Sequence, residues 1–194
     1  MQWKSPKNEE SDNSVSSVIS NDTRIYFYSD ISDDRILQLT QQLRDIDEEL
    51  QYERIVRGTN SKVPIWLHIN SQGGDVFPAL AAVDLIAQLH SPVYSVVEGV
   101  AASSATLLSV ACTKRFIRPN SFMLIHEITS AFFGKHAEFI DQLRMQEMLV
   151  DKFMNFYASK TKLTIEDLKD KWKRDFWMDA QQALEYGFVD SVLI

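Results

Sequence analysis

Short apolar runs that stop at glycine and pass into helical segments occupy the middle of this chain, and they restrict it to one broad architecture. Val63 to Ile69 reads as a strand that ends abruptly at Asn70-Ser71-Gln72-Gly73-Gly74. Pro78 then sits early in an apolar segment running to Leu89, a buried helix in which proline is tolerated near the first turn. Val93 to Val97 is a second strand, which Gly99 breaks. The small-residue run from Ala101 to Ala111 predicts a tightly packed helix. Phe122 to Ile125 is a third strand, entered through the turn Arg118-Pro119-Asn120. Strands alternating with helices at this spacing need crossover connections, so the expected fold class is α/β.

The flanking segments fit that frame. Ile25-Tyr26-Phe27-Tyr28 is a β-prone run, followed by Ser32 as an N-cap with Asp33 and Asp34 in the first turn. Ile36, Leu39, Leu43, Ile46 and Leu50 alternate steps of three and four, one face of an amphipathic helix. Gln51 to Lys62 reads as helix end and loop. Lys135 to Thr161 carries the longest helical pattern, with Phe139, Ile140, Leu143, Leu149, Phe153 and Phe156. Thr164 with Asp167, and Asp179 with Gln182, predict capping boxes, and Gly187 can close the second of those helices. Phe176 to Met178 and Val189 to Leu193 are short strand candidates.

With 194 residues, 45% hydrophobic and 24% charged, the chain suits one globular domain with a substantial core. Its net charge of −7 argues against nucleic acid or an anionic membrane surface as the main partner. A single cysteine, Cys112, excludes an internal disulfide and suits a reducing interior such as the cytoplasm; its small apolar neighbours predict a buried, inert thiol. Met1 to Asn21 is rich in Ser, Asn, Glu and Lys and reads as a flexible arm. That segment lacks the apolar run of a signal peptide, and no stretch of about 18 uninterrupted apolar residues occurs anywhere, so a soluble chain is expected.

Four places carry candidate chemistry. Gly73-Gly74, between strand and helix, allows positive φ and close approach of another backbone, and helix-opening N–H groups there can hold a negative charge; a plain tight turn explains the pair equally well. Ser103, among small residues where a strand meets a helix, has the setting of a nucleophile elbow without the usual spelling. Taken alone, Ser103 or Ser104 is better explained as a helix cap. Of the four histidines, His68 lies within a strand, His90 follows a helix, and His136 opens the long helix among polar neighbours. His126 ends the third strand, at the sheet edge that usually carries a site, which makes it the best base for a nucleophilic serine. Asp175, between Arg174 and Phe176-Trp177, is a semi-buried carboxylate in want of a partner, either a histidine or a neighbouring Lys173 or Arg174.

Taken together, these segments resemble the proteolytic subunit of the Clp protease family, in order, from about Ile25 to Ile194. Ile69-Asn70-Ser71-Gln72-Gly73-Gly74 is similar to its I-N-S-P-G-G segment, and Gly99-Val100-Ala101-Ala102-Ser103 to its G-x-A-A-S segment. Arg115-Phe116 with Pro119 to His126 resembles R-F-x-x-P-N-S-x-x-M-I-H. Arg174 to Met178 and Ala183 to Asp190 resemble the R-D-x-F-x and A-x-E-Y-G-x-V-D ending.

The resemblance implies a ClpP/crotonase-like fold of repeated ββα units with a long handle helix. The arm would cover residues 1–21 and the peptidase domain 22–194, its head about 22–130 and 162–194 and its handle about 131–161. It implies serine endopeptidase activity on unfolded proteins and short peptides inside a ring-shaped chamber. Ser103 would be nucleophile, His126 general base and acid, and Asp175 the orienting carboxylate. The backbone N–H groups of Gly74 and Ser104 would form the oxyanion hole, while Gly73, Gly74 and Ile128 would pair with the substrate as an added strand. No metal or nucleotide cofactor is implied. The implied assembly is a homo-oligomeric tetradecamer of two heptameric rings, fed by an ATP-driven Clp unfoldase.

Departures from the pattern are local. Ser104 stands where the family usually has methionine, Ile128 where it usually has proline, and Gln72 where it has proline. Where the family builds apolar pockets for the unfoldase, this chain has His68, Gln88, Glu98 and Arg118, although Trp66 and Phe116 keep that character. Two other functions fit parts of the pattern: a structural or regulatory ring subunit working with an active paralogue, and a crotonase-like acyl-CoA enzyme. The second leaves Ser103, His126 and Asp175 unexplained as a set.

Overall fold

The structure, a computed structural model, describes residues 18–129 and 131–194. The first strand, β1 (Val18–Asn21), turns back through Asp22 to pair antiparallel with β2 (Arg24–Phe27). The arm expected over residues 1–21 therefore gives up its last four residues to the sheet, because Val18 buries its side chain there. The rest of that expected arm lies outside the described residues.

Helix α1 (Asp33–Val56) is capped as expected by Ser32, whose Oγ accepts from the Arg35 N–H at 3.4 Å. It runs beyond Leu50, past the point where apolar periodicity stops. Gln51, Glu53 and Arg54 are good helix formers that need no core contact to stay helical. Next, β3 (Ile65–Ser71) begins only after Pro64, which has no N–H to give a ladder. Helix α2 (Val76–Gln88) and strand β4 (Val93–Ala102) follow.

Gly99 does not end β4. Its φ of 81° lets the strand bulge and change partner. Before it, Tyr94 to Val97 pair parallel with β5 (Lys114–Ile117); after it, Val100 to Ala102 pair parallel with β6 (Phe122–Ile125). The Gly99 N–H donates to Ser121 Oγ at 2.7 Å, which fixes the bulge to the turn leading into β6. Helix α3 (Ala105–Ala111) starts later than the run of small residues suggested, because Ala101 and Ala102 finish the strand.

The remaining elements are α4 (His136–Lys160), α5 (Ile165–Trp172), β7 (Phe176–Met178), α6 (Ala180–Glu185) and β8 (Ser191–Val192). Both predicted capping boxes form. After α6, Phe188 N–H bonds Ala183 O at 2.8 Å and Gly187 N–H bonds Leu184 O at 3.2 Å, a Schellman ending.

Strands run in the order β1-β2-β3-β4-β5-β8, with β6 pairing β4 and antiparallel β7 off that path. Ile25, Phe27, Leu67, Ile69, Val97 and Ile117 are fully buried in the core with Leu39, Leu43 and Leu107. The α/β class is as expected. No helix among the described residues is long and apolar enough to cross a membrane.

Candidate active site

Two parallel strands end side by side and bring the candidate residues together. Ser103 follows β4, and its N–H donates to Leu124 O of β6 at 2.8 Å, one step beyond the Ala102–Leu124 pair. His126 follows β6 directly, half-buried. Ser103 has φ 54°, one of two non-glycine residues with positive φ among those described. Such a conformation costs of the order of 1–3 kcal/mol and persists only where neighbours enforce it.

The neighbours are identifiable. The Ser103 carbonyl accepts from the Thr106 N–H at 3.0 Å and from Thr106 Oγ1 at 2.6 Å. Gly73 presses on the other side: a Cβ there would lie 2.6 Å from Ala102 O and 2.8 Å from Ser103 Cβ. The glycine pair is thus more than a tight turn, since it lets one loop lie against the elbow. The cap reading fails for Ser104, which stands at the N-cap of α3 yet makes no side-chain cap bond.

Ser103, Ser104, Gly74 and His126 line one cavity of about 80 Å³, whose apolar walls are Val76, Leu107, Ile125, Ile128, Phe153, Tyr157 and Trp172. None of the other three histidines reaches it. His68 is buried elsewhere, while His90 and His136 are exposed. The described residues hold no cluster of ligating side chains fit for a metal ion.

Asp175 departs from the expectation of a semi-buried carboxylate. It is exposed and does not line the cavity. Strands β6 and β7 pair antiparallel with Ile125 opposite Phe176, and continuing that register one residue outward sets His126 opposite Asp175. Residues so paired lie close enough for side chains to meet. Among the described residues, no hydrogen bond or ion pair joins His126 to Asp175 or to Ser103 Oγ. The three residues lie at neighbouring strand ends with no hydrogen bond among their side chains in this conformation.

Two of the residues lining the cavity, Gly74 and Ser104, carry backbone donors left unused among the described residues. The Gly74 and Ser104 N–H groups donate to no acceptor among the described residues, while their neighbours Gly73, Asp75 and Ser103 all do. Gly73 engages both of its groups within the chain: its N–H donates to Ser71 Oγ at 3.1 Å and its carbonyl accepts from the Ile31 N–H at 2.8 Å. Glu127, Ile128 and Thr129 make no backbone hydrogen bond among the described residues.

On the sheet face away from the helices, Trp66 stacks on Phe116 with ring centroids 5.6 Å apart, and Tyr94 meets Trp66 edge-on at 5.3 Å. Beside them Glu98 gathers the Tyr28 hydroxyl, Arg118 Nε at 3.1 Å and His68 Nδ1 at 3.2 Å. The His68 contact is within ion-pair distance but poorly aligned for a hydrogen bond. Burial raises the Glu98 pKa, but the Tyr28 and Arg118 hydrogen bonds and the nearby His68 imidazole outweigh it and hold the carboxyl below its usual range. Burial and the Glu98 carboxylate together push the Tyr28 hydroxyl up to about 12. The sequence marked His68, Glu98 and Arg118 singly; that Tyr28 joins them depends on register and was not legible.

Comparison with known proteins identifies the family. The profile of the Clp protease family matches residues 14–194. The ATP-dependent Clp protease proteolytic subunit of Streptococcus mutans is 33% identical over 175 residues, covering 86% of this chain and 88% of the relative. The protein of the same name from Lactococcus lactis subsp. cremoris is 31% identical over 173 residues, covering 86% of each. Proteolytic subunit 2 of Treponema pallidum is 34% identical over 132 residues, covering 67% of this chain and 66% of the relative. This chain belongs to the Clp protease family, and it is a serine-type peptidase.

Proposed function

We propose that the chain is an endopeptidase in which Ser103 attacks the scissile carbonyl, His126 takes and returns the proton, and Asp175 orients the imidazole. The observation that carries this reading is Ser103 at φ 54° where β4 meets α3, in one cavity with His126. Catalytic hydrogen bonds often tighten only when substrate is bound, so adjacency without a closed bond suits a resting site. The Gly74 and Ser104 N–H groups receive the developing oxyanion. The unpaired backbone of Glu127 to Thr129 takes the substrate as an added strand; the expected pairing at Gly73 is not part of this proposal, because both Gly73 backbone groups are already bonded within the chain. The apolar walls of the cavity favour an apolar side chain at the cleaved bond, and no cofactor takes part.

The working form in this proposal is a homo-oligomer, two stacked heptameric rings enclosing the sites. Residues 22–130 and 162–194 form the head and 131–161 the handle that joins the rings. Phe139, Ile140, Leu143 and Met148 of α4 support this, since each is at least 39% exposed in the single chain. The relatives are named ATP-dependent, and an ATP-driven Clp unfoldase is the proposed partner. Its dock is atypical. An apolar anchor would have to desolvate the Glu98–Arg118 pair, so the partner's loop must offer polar groups or bind weakly. A chain with one cysteine needs no oxidising compartment, and the cytoplasm is the proposed location.

The test is peptide hydrolysis by Ser103→Ala, His126→Ala and Asp175→Asn. Losses of about a thousandfold or more in the first two, with an intact fold, are expected. Full hydrolysis by Ser103→Ala contradicts the assignment.

A further inference from the structure

The two proposed oxyanion donors come from loops far apart in sequence, and one side chain joins them directly. Ser104 Oγ donates to the Gly74 carbonyl oxygen at 3.0 Å. Ser104 is 4% exposed, so its hydroxyl has little water to turn to instead.

The position of this serine makes the bond informative. Serine at a helix N-cap ordinarily has extended backbone and accepts from the second or third N–H of the helix. Ser104 has φ −58° and ψ −21° and makes no such bond. It leaves the end of α3 uncapped and reaches across to the glycine loop. The loop itself is fixed on its far side, where the Asp75 N–H donates to Ile31 O at 2.9 Å and the Ile31 N–H to Gly73 O at 2.8 Å. The elbow is fixed on its own far side by Thr106. Between the two halves stand the Gly73 contact, which sets how near they come, and the Ser104 bond, which ties the Gly74–Asp75 peptide to the start of α3.

We propose that Ser104 is a positioning residue: its hydroxyl fixes the Gly74–Asp75 peptide, and with Ile31 holding the preceding Gly73–Gly74 peptide this limits the rotation at Gly74 that aims its N–H, together with the Ser104 N–H, at one oxygen. The proposal rests on the oxyanion role given to those two groups above. A donor displaced by a fraction of an ångström still binds substrate but stabilises the transition state less, because that interaction is the geometrically demanding one. The consequence falls on kcat and not on KM.

The experiment compares wild type, Ser104→Ala and Ser104→Cys in hydrolysis of an internally quenched peptide and in inhibition by a peptide aldehyde. The aldehyde's adduct with the serine carries an oxyanion-like oxygen. Ser104→Ala is expected to lower kcat about tenfold, short of the hundredfold or more that follows loss of a whole donor. KM stays within about twofold, and the aldehyde's inhibition constant rises in step with the loss in kcat. Ser104→Cys keeps the shape with a weaker donor and falls between, which separates the bond from mere filling of space. Unchanged kcat in Ser104→Ala, or a raised KM with kcat intact, overturns the proposal. So does Ser104→Cys behaving like Ser104→Ala. Ser103→Ala is run alongside: if it still hydrolyses peptide, the reading of the site has failed, whereas an inactive Ser103→Ala beside a fully active Ser104→Ala sinks only the positioning role.

Discussion

Thr106 and Tyr157 share a hydroxyl–hydroxyl hydrogen bond of 2.6 Å between α3 and α4, both side chains buried. Thr106 has one hydroxyl proton, which it gives to the Ser103 carbonyl at 2.6 Å. Tyr157 must then be the donor to Thr106. The long helix is thereby hydrogen-bonded, through one threonine, to the turn that holds Ser103 at positive φ. Burial keeps the Tyr157 hydroxyl protonated well above its ordinary range, so the donor persists at any working pH.

Tyr157→Phe removes only that hydroxyl and leaves a buried Thr106 lone pair unmet. We expect about 1 kcal/mol of lost stability by chemical denaturation and a severalfold fall in kcat. Thr106→Val costs more, because it also strips a donor from the Ser103 carbonyl. A double mutant less destabilised than the sum of the two identifies the bond as the coupling. Full additivity contradicts it.

Gly73→Ala tests the contact that presses the glycine loop on the elbow. The position has φ 98° and no room for a Cβ against Ala102 O and Ser103 Cβ. About 2–4 kcal/mol of destabilisation and loss of peptide hydrolysis are expected. Gly58 also has positive φ, 59°, but nothing lies within 4 Å of a Cβ there. Gly58→Ala should cost about 1 kcal/mol and leave hydrolysis unchanged. Equal effects at the two sites would mean that strain alone, and not the contact, governs Gly73.

Asp47 predicts an acid-sensitive contribution to stability. Its buried carboxylate accepts from the Ser91 N–H at 2.7 Å and the His90 N–H at 3.2 Å, which fastens α1 to the turn before β4. Burial raises its pKa, but the Ser91 and His90 donors outweigh that and depress it below the unfolded value. A depressed carboxylate contributes stability that is fully present above its unfolded pKa of about 3.9 and is lost as pH falls through the lower folded value. Asp47→Asn should lower stability by about 1–3 kcal/mol at neutral pH and flatten the loss below about pH 4. Parallel acid unfolding curves for the two proteins would exclude the contribution.

Cys112 should be inert in the folded chain. It is buried, its Sγ donates to Leu108 O at 3.2 Å, and burial pushes the thiol up to about 12. A thiol reagent at pH 8 should modify it only in denaturant. Rapid native labelling at wild-type stability would contradict this.

The strongest local signals in the sequence were chemical ones. Ser32, Thr164 and Asp179 were readable as caps because a side-chain oxygen before a helix has few other uses, and each accepts the expected bond. Phe122 to Ile125 was readable because the turn before it and the histidine after it bound the run. β5 was not. Lys114-Arg115 looks like surface, and its strand form depends on β4 beside it and on Asp190, which grips the Arg115 backbone N–H at 2.8 Å and its guanidinium at 2.7 Å. Gly99 was read as an end because sequence shows the break in propensity, not the second partner that lets β4 continue. At the site, motif order brought Ser103, His126 and Asp175 together on paper. The exposure of Asp175 and the turn of Ser104 toward Gly74 depend on packing between loops distant in the chain, which no local pattern encodes.

Peptide hydrolysis by this chain requires Ser103 to be an activated nucleophile. The direct measurement is reaction of the assembled protein with a fluorophosphonate probe, followed by mass-spectrometric location of the adduct. A single adduct on Ser103, absent from Ser103→Ala and from protein denatured before labelling, is the predicted result. An adduct on another residue, or none on a protein that hydrolyses peptide, would contradict it.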